Sequence, residues 1–68
     1  MDELDWRIIL CLAANRMNVS EVARVLFLHR NTVDYRIEKI YRITRLDPRD
    51  FYELYALVQM AKKGDVKL

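Results

Sequence analysis

The sequence predicts an all-α domain of four main helices, near residues 3–15, 20–27, 30–44 and 48–63. Apolar residues recur along most of the chain at the spacing of one helix face. Gly64 is the only glycine and Pro48 the only proline, too few for the many turns of a β fold. With 68 residues, the whole chain, 1–68, is expected to be a single small domain, and the short turn between the second and third helices predicts a helix-turn-helix within it.

Composition excludes several classes of protein. Cys11 is the only cysteine, so neither an intramolecular disulfide nor a metal cluster is expected. Hydrophobic residues make up 53% of the chain, too many for a disordered segment. No apolar run approaches the roughly 18 residues of a membrane span. The acidic start of the sequence is unlike a signal peptide. A cytoplasmic protein is therefore expected.

The first helix, near 3–15, is apolar on nearly all sides. One face carries Leu4, Ile8, Cys11 and Leu12, and the other carries Trp6, Ile9, Leu10 and Ala13. A helix of this kind is buried on two sides. One side can face the core of the domain. The other is expected to need a partner, either a second copy or a neighbouring domain.

The second helix is expected to begin at Ser20, a favourable N-cap residue. Val22, Ala23 and Leu26 give its inward face, and Phe27 and Leu28 make the turn. Many helix-turn-helix units have a glycine in this turn. A left-handed Phe27 would cost of the order of 1 kcal/mol. In the alternative, the turn has a different shape and the phenylalanine ring packs inward.

The third helix is predicted over 30–44, with His29 near its N-cap. Val33, Ile37 and Ile40 line its core face. At 100° per residue, the side chains expected to project away from the core are Asn31, Tyr35, Glu38, Lys39 and Arg42. Asp34 follows Arg30 by one turn, a spacing that favours an exposed ion pair.

The fourth helix is predicted to begin at Asp47 as N-cap, with Pro48 in the first turn. Its expected core face is Phe51, Leu54, Tyr55, Val58 and Ala61. A second apolar stripe follows at i, i+4 and i+8, formed by Tyr52, Ala56 and Met60. Because apolar stripes beyond one small core mark interfaces, self-association, as in a homodimer, is predicted. In the alternative, one stripe is the other wall of the core.

The chemistry of the side chains argues against an enzyme. Ser20 is the only serine, His29 the only histidine, and no glycine-rich phosphate loop exists. Cys11 is expected to be an inert core thiol. No cofactor and no metal site is predicted. Positive charge collects over residues 29–49, which hold six basic and three acidic residues, whereas residues 1–28 have a net charge of −1 and residues 50–68 a net charge of zero.

This charge and the polar face of the third helix predict contact with duplex DNA in the major groove. Arg30 can donate bidentately to guanine or to phosphate, and Asn31 can pair with adenine. The full set of candidate DNA-binding residues is His29, Arg30, Asn31, Thr32, Tyr35, Arg36 and Lys39. Arg36 equally suits an internal ion pair. From the residues alone, an ordinary solvated helix face remains the alternative.

Residues 20–43, above all LFLHRNTVDYRIEKI, resemble the C-terminal helix-turn-helix of the PucR family of bacterial transcription regulators. The signature positions are filled by His29, Arg30, Asn31, Thr32, Val33, Tyr35, Arg36 and Ile37. The resemblance implies sequence-specific binding of double-stranded DNA at the C-terminus of a longer regulator with an upstream sensory domain. Two residues depart from the family pattern. Asp34 occupies a position where the family usually has a basic or neutral residue, and Arg45 replaces the usual glycine. A helical dimerisation module without DNA binding is the alternative.

Overall fold

A computed structural model describes residues 1–65 of the chain, with side chains up to residue 63. Four α-helices, Glu3–Ala14 (α1), Val19–Val25 (α2), Arg30–Thr44 (α3) and Phe51–Met60 (α4), precede a π-helical turn over Ala61–Asp65. Residues 1–65 contain no strand, which confirms the all-α prediction. The last three residues of the predicted domain 1–68 lie outside the described residues. None of the described helices combines the length and the apolar character of a membrane-spanning segment.

Helix α1 is the centre of the fold, because it packs against each of the other three helices. The core draws on every helix and consists of Ile8, Ile9, Leu12, Val22, Ala23, Val33, Ile37, Ile40, Leu54, Leu57 and Val58. The predicted core face of α3 is confirmed, with Val33 and Ile40 completely buried. The two helices of the helix-turn-helix, α2 and α3, also pack directly on each other.

The second face of α1 is mostly a wall of this core. Ile9 is completely buried, and Trp6 and Leu10 pack against the core from its edge. Of the predicted partner-binding stripe on this helix, Ala13 is the exposed member. Helix α1 therefore satisfies both of its apolar faces largely within the domain.

Two helix caps differ from the predicted ones. Asn18, not Ser20, caps α2, and its Oδ1 accepts a hydrogen bond from the Glu21 amide at 3.1 Å. Asp50 caps α4 in the same way, through the Glu53 amide at 3.0 Å. The carboxylate of Asp47 instead accepts from the Arg49 amide at 2.9 Å and so stabilises a turn that precedes the helix.

The buried face of α4 also differs from the predicted one. Phe51 and Tyr55 are 65% and 61% exposed, whereas Leu57, which was not assigned to the core, is completely buried. Helix α4 is apolar on several sides, so residue spacing alone does not define a unique inward face. Contact with α1 selects the face formed by Leu54, Leu57 and Val58.

Three connections contain left-handed residues that are not glycine. The φ angles are 58° at Arg16, 63° at Met17, 56° at Phe27 and 62° at Arg45. A side chain in this region costs about 1–2 kcal/mol relative to the right-handed conformation. The left-handed conformation considered for Phe27 is therefore the observed one. Its ring does not pack inward but is 94% exposed.

Candidate functional site

The N-terminal turn of α3 begins with a histidine cap. His29 is the N-cap, as predicted, and its Nδ1 accepts a hydrogen bond from the backbone N–H of Asn31 at 3.1 Å. A ring nitrogen that accepts carries no proton. The neutral imidazole therefore bears its proton on Nε2, where it can donate to a group outside the helix.

Arg30 is held from two sides. Its Nη1 donates to the hydroxyl of Ser20 on α2 at 2.7 Å. Its Nε lies 3.8 Å from Oδ2 of Asp34, which confirms the expected ion pair one turn along the helix. An exposed pair of this kind contributes only a few tenths of a kcal/mol to stability. Its main effect is to restrict the directions of a guanidinium that is otherwise in water.

Ser20 thus has a role that the sequence did not reveal. It was expected to cap α2, but it lies inside that helix and orients Arg30 across the turn. Two cap-type residues, Asn18 and Ser20, stand two positions apart, and either could begin the helix by its chemistry. Once Asn18 takes the cap, the hydroxyl of Ser20 is available to the neighbouring helix.

Polar groups that face solvent follow Arg30 along the first two turns of α3. Asn31 is exposed, and its side-chain amide offers both a donor and an acceptor. Tyr35 is 61% exposed. Thr32 is half-buried between this face and the core. The structure therefore brings His29, Arg30, Asn31 and Tyr35 to one exposed end of the helix.

Arg36 and Lys39 lie elsewhere, on a buried carboxylate of α1. Asp5 is completely buried, and its two oxygens lie 3.1 Å from Nη1 of Arg36 and 2.8 Å from Nζ of Lys39. Arg36 also contacts Oδ2 of Asp2 at 2.7 Å. The internal ion pair considered for Arg36 is confirmed. Lys39, which was expected to project away from the core, instead turns back to Asp5, because a buried carboxylate requires charged partners.

We call Asp2, Asp5, Arg36 and Lys39 the acidic clamp, because the two aspartates hold α3 against the N-terminus of α1. The aspartates also form a capping box: each side chain accepts a hydrogen bond from the other's backbone N–H. The Asp5 amide and the Arg36 guanidinium lower the pKa of Asp2 from 3.8 to about 2. The hydrogen bonds of the Arg36 guanidinium to the carboxylate of Asp2 and, second, to that of Asp5 raise the pKa of Arg36.

The second half of α3 is fixed to the loop that precedes α4. Arg49 Nη1 lies 2.9 Å from Oε1 of Glu38, and Arg49 Nε lies 2.9 Å from Oδ1 of Asp47. Arg45 ends α3 in the left-handed conformation, and its N–H donates to the Tyr41 carbonyl at 2.8 Å. Arg45 therefore adopts the left-handed conformation that glycine, the usual residue of the family pattern at this position, takes most easily.

An apolar groove lies between the end of α1 and the beginning of α4. Its volume is about 230 Å³, and it is lined by Ala13, Arg16, Met17, Phe51, Leu54, Tyr55 and Val58. Phe51 meets the neighbouring ring of Tyr52 edge to face, with the ring centres 5.3 Å apart. Tyr52 is itself 79% exposed. The predicted stripe on α4 is therefore partly accessible beside this groove.

Comparison with known proteins gives one family. No curated protein and no solved structure matches the chain. The family model described as the PucR C-terminal helix-turn-helix domain matches residues 6–61. The match includes the whole of α2, α3 and α4 and most of α1. The chain therefore belongs to the family of PucR C-terminal helix-turn-helix domains.

Proposed function

We propose that this domain binds double-stranded DNA in a sequence-specific way, as part of a transcription regulator, with α3 in the major groove. One observation carries the proposal: the exposed N-terminal turns of α3 present an oriented arginine beside an asparagine and a tyrosine. The second helix of a helix-turn-helix reads base edges with its N-terminal residues. Membership of the PucR helix-turn-helix family supports the same role.

Arg30 is the side chain best placed to read a base. A guanidinium can donate two hydrogen bonds to O6 and N7 of guanine. Ser20 and Asp34 already restrict its direction, so less freedom is lost on binding. Asn31, the next residue, has the amide that pairs with adenine N6 and N7. We assign base reading to these two residues.

The surrounding groups suit the phosphate backbone. Nε2 of His29 and the hydroxyls of Thr32 and Tyr35 are donors that can bond to phosphate oxygens. The N-terminus of α3 adds a positive dipole end. Arg36 and Lys39 have their charges engaged by the acidic clamp. We therefore propose that these two residues position α3 and do not contact phosphates.

The direct test is binding of random duplex DNA at two salt concentrations, followed by sequence selection. Release of counterions should lower log K linearly with log salt, with a slope of about −0.9 for each phosphate neutralised. Lys39→Ala should leave this slope unchanged in protein that is still folded. A phosphate contact by Lys39 would instead flatten the slope by about one.

Arg30→Ala tests the base reading. It should weaken binding to the selected site by about 1–3 kcal/mol and relax the preference at one base pair. Arg7→Ala is the matched control, since Arg7 is an exposed arginine on α1 in an i,i+4 pair with Glu3. Equal effects of the two substitutions would show that only the loss of charge matters.

Asp34→Asn tests the orienting pair, because it keeps size and removes charge. Non-specific affinity should rise as repulsion of phosphates is lifted, and discrimination at the base read by Arg30 should fall. If the substitution instead abolishes a preference for cytosine, Asp34 reads that base directly. No binding of duplex DNA at low salt by the unsubstituted domain would favour the interaction module without DNA binding.

We also propose that two copies of the domain associate through the groove between α1 and α4. A projecting ring, Tyr52, stands beside an apolar hollow, and a two-fold axis can place each ring in the hollow of the other copy. Regulators with this motif bind as dimers to half-sites about one helical turn apart. Self-association would therefore serve DNA recognition.

Sedimentation over a range of concentrations tests this association. Tyr52→Ser should weaken dimerisation and leave the DNA affinity of the isolated domain for a half-site unchanged. Tyr35→Ser is the matched control, since Tyr35 is exposed to a similar degree on α3. It should reduce DNA affinity and leave the mass unchanged. A domain that stays monomeric at millimolar concentration would contradict the dimer.

A further inference from the structure

Phe27 stands in the turn between α2 and α3 and has almost no contact with the rest of the domain. Its side chain is 94% exposed, the most exposed large hydrophobic residue among those described. Its φ angle is 56°, in the left-handed region that favours glycine. Two unfavourable features, an apolar ring in water and a strained backbone, therefore coincide at one residue.

The fold does not need this ring. The turn is held by backbone hydrogen bonds, from the Leu28 amide to the Ala23 carbonyl at 2.8 Å and from the Phe27 amide to the Arg24 carbonyl at 3.3 Å. Leu28 supplies the apolar contact of the turn with the core. A glycine at position 27 would keep these bonds without the strain. A residue that is strained and contributes no packing points to a contact outside the domain.

The location of Phe27 indicates what it contacts. It precedes the N-cap His29 by two residues, so the two Cα atoms lie within about 7 Å of each other. The ring is therefore at the end of α3 that presents Arg30 and Asn31. Arg24, at the end of α2 on the other side of the turn, is also exposed, but its guanidinium is paired with the carboxylate of Glu21 at 2.7 Å. Because the ring lies beside the turn of α3 that is proposed to enter the major groove, the same duplex is the partner within its reach.

We propose that Phe27 is a specificity-determining residue whose ring packs against the C5-methyl group of a thymine at the edge of the bound site. This inference rests on the proposed DNA binding. The methyl group is the one apolar feature on base edges in the major groove, and phenylalanine is among the side chains that contact it. Phe27 distinguishes thymine from cytosine at a position next to the base that Arg30 reads.

The test combines two changes, one in the protein and one in the DNA. Phe27→Gly removes the ring and relieves the backbone. Replacement of a single thymine by deoxyuracil in the selected duplex removes only the methyl group. Each change alone should lower affinity about tenfold, the magnitude expected for burying a contact of this size. Together they should lower it little further, because both remove the same contact.

The stability of the variant separates function from folding. Phe27→Gly should melt at the same temperature as the unsubstituted domain or higher, while it binds the selected site more weakly. Phe27→Leu should retain part of the preference for thymine. Ile43→Ala is the control, since it removes an exposed apolar side chain from the far end of α3 and should leave the effect of deoxyuracil unchanged.

Several outcomes would overturn the inference. If Phe27→Gly binds as tightly as the unsubstituted domain while Arg30→Ala does not, DNA binding stands and the role of Phe27 is wrong. If the affinity losses from Phe27→Gly and from deoxyuracil are independent, so that the combined loss is their product at every thymine, the ring contacts something other than a methyl group. If Phe27→Gly lowers self-association alone, the ring belongs to a protein interface. If the unsubstituted domain binds no duplex DNA, both proposals are wrong.

Discussion

Replacement of Asp5 by asparagine should destabilise the domain strongly. Removing one member of a buried ion pair costs about 3–5 kcal/mol when the remaining charge stays buried. Here Arg36 and Lys39 keep 23% and 26% of their side chains exposed, so water can solvate them after the change. Asparagine also retains an oxygen that can accept from the Asp2 amide. We therefore expect a loss of about 2 kcal/mol, below the range for a fully buried pair.

A loss of this size is large for so small a domain. At about 0.05–0.15 kcal/mol per residue, the whole free energy of unfolding is roughly 3–10 kcal/mol. Each kcal/mol shifts the melting temperature of a domain of this length by about 4–8 °C. Asp5→Asn should therefore melt about 8–16 °C lower. Thermal denaturation followed by circular dichroism measures the shift.

Glu3→Gln is the matched control, because it neutralises an exposed carboxylate on the same turn of α1. Glu3 lies 3.6 Å from Arg7 in an exposed pair, and its loss should cost only a few tenths of a kcal/mol. Equal melting temperatures for Asp5→Asn and Glu3→Gln would refute the reasoning, since the buried carboxylate would then contribute no more than a surface charge.

Three further predictions concern local features. Arg45→Gly should stabilise the domain by about 0.5–1 kcal/mol in urea denaturation, because relief of the left-handed strain exceeds the extra freedom of glycine in the unfolded chain. Asp2 has a folded pKa of about 2, below its ordinary 3.8, so its stabilisation is complete above pH 3.8 and is lost as the pH falls through about 2. Acid titration of Asp2→Asn should lack this component. Asn18→Ala should cost about 1 kcal/mol through loss of the cap, whereas Ser20→Ala should cost less and act on DNA binding.

The bounds, the cap and the core face of α3 could be predicted because several signals agree there. Val33, Ile37 and Ile40 repeat at helical spacing, and His29 provides a cap at the start. The ion pair of Arg30 with Asp34 followed from their i,i+4 spacing, since local geometry alone brings such residues together. Features that depend on one helix were therefore accessible from the sequence.

Features that depend on the contact between two helices could not be predicted uniquely from the sequence. Asp47 and Asp50 both precede a helical stretch and both can act as N-caps, so the choice between them requires the position of the loop. The long side chain of Lys39 can point outward or fold back, and only a buried Asp5 on another helix decides between the two. The sequence did contain a signal for the acidic clamp. An aspartate lies within an apolar helix, and two cations lie three residues apart on α3, where both can reach one carboxylate.

The acidic clamp also has a kinetic consequence. The contacts of Arg36 with Asp2 and Asp5 span sequence separations of 34 and 31 residues, whereas α2 and α3 meet across a short turn. Closing the longer loop costs more entropy, so the clamp is expected to form after the transition state for folding. An interaction made that late leaves the folding rate nearly unchanged and slows unfolding. The two aspartates would thus set how long each molecule remains folded, and hence how rarely α1 separates from α3.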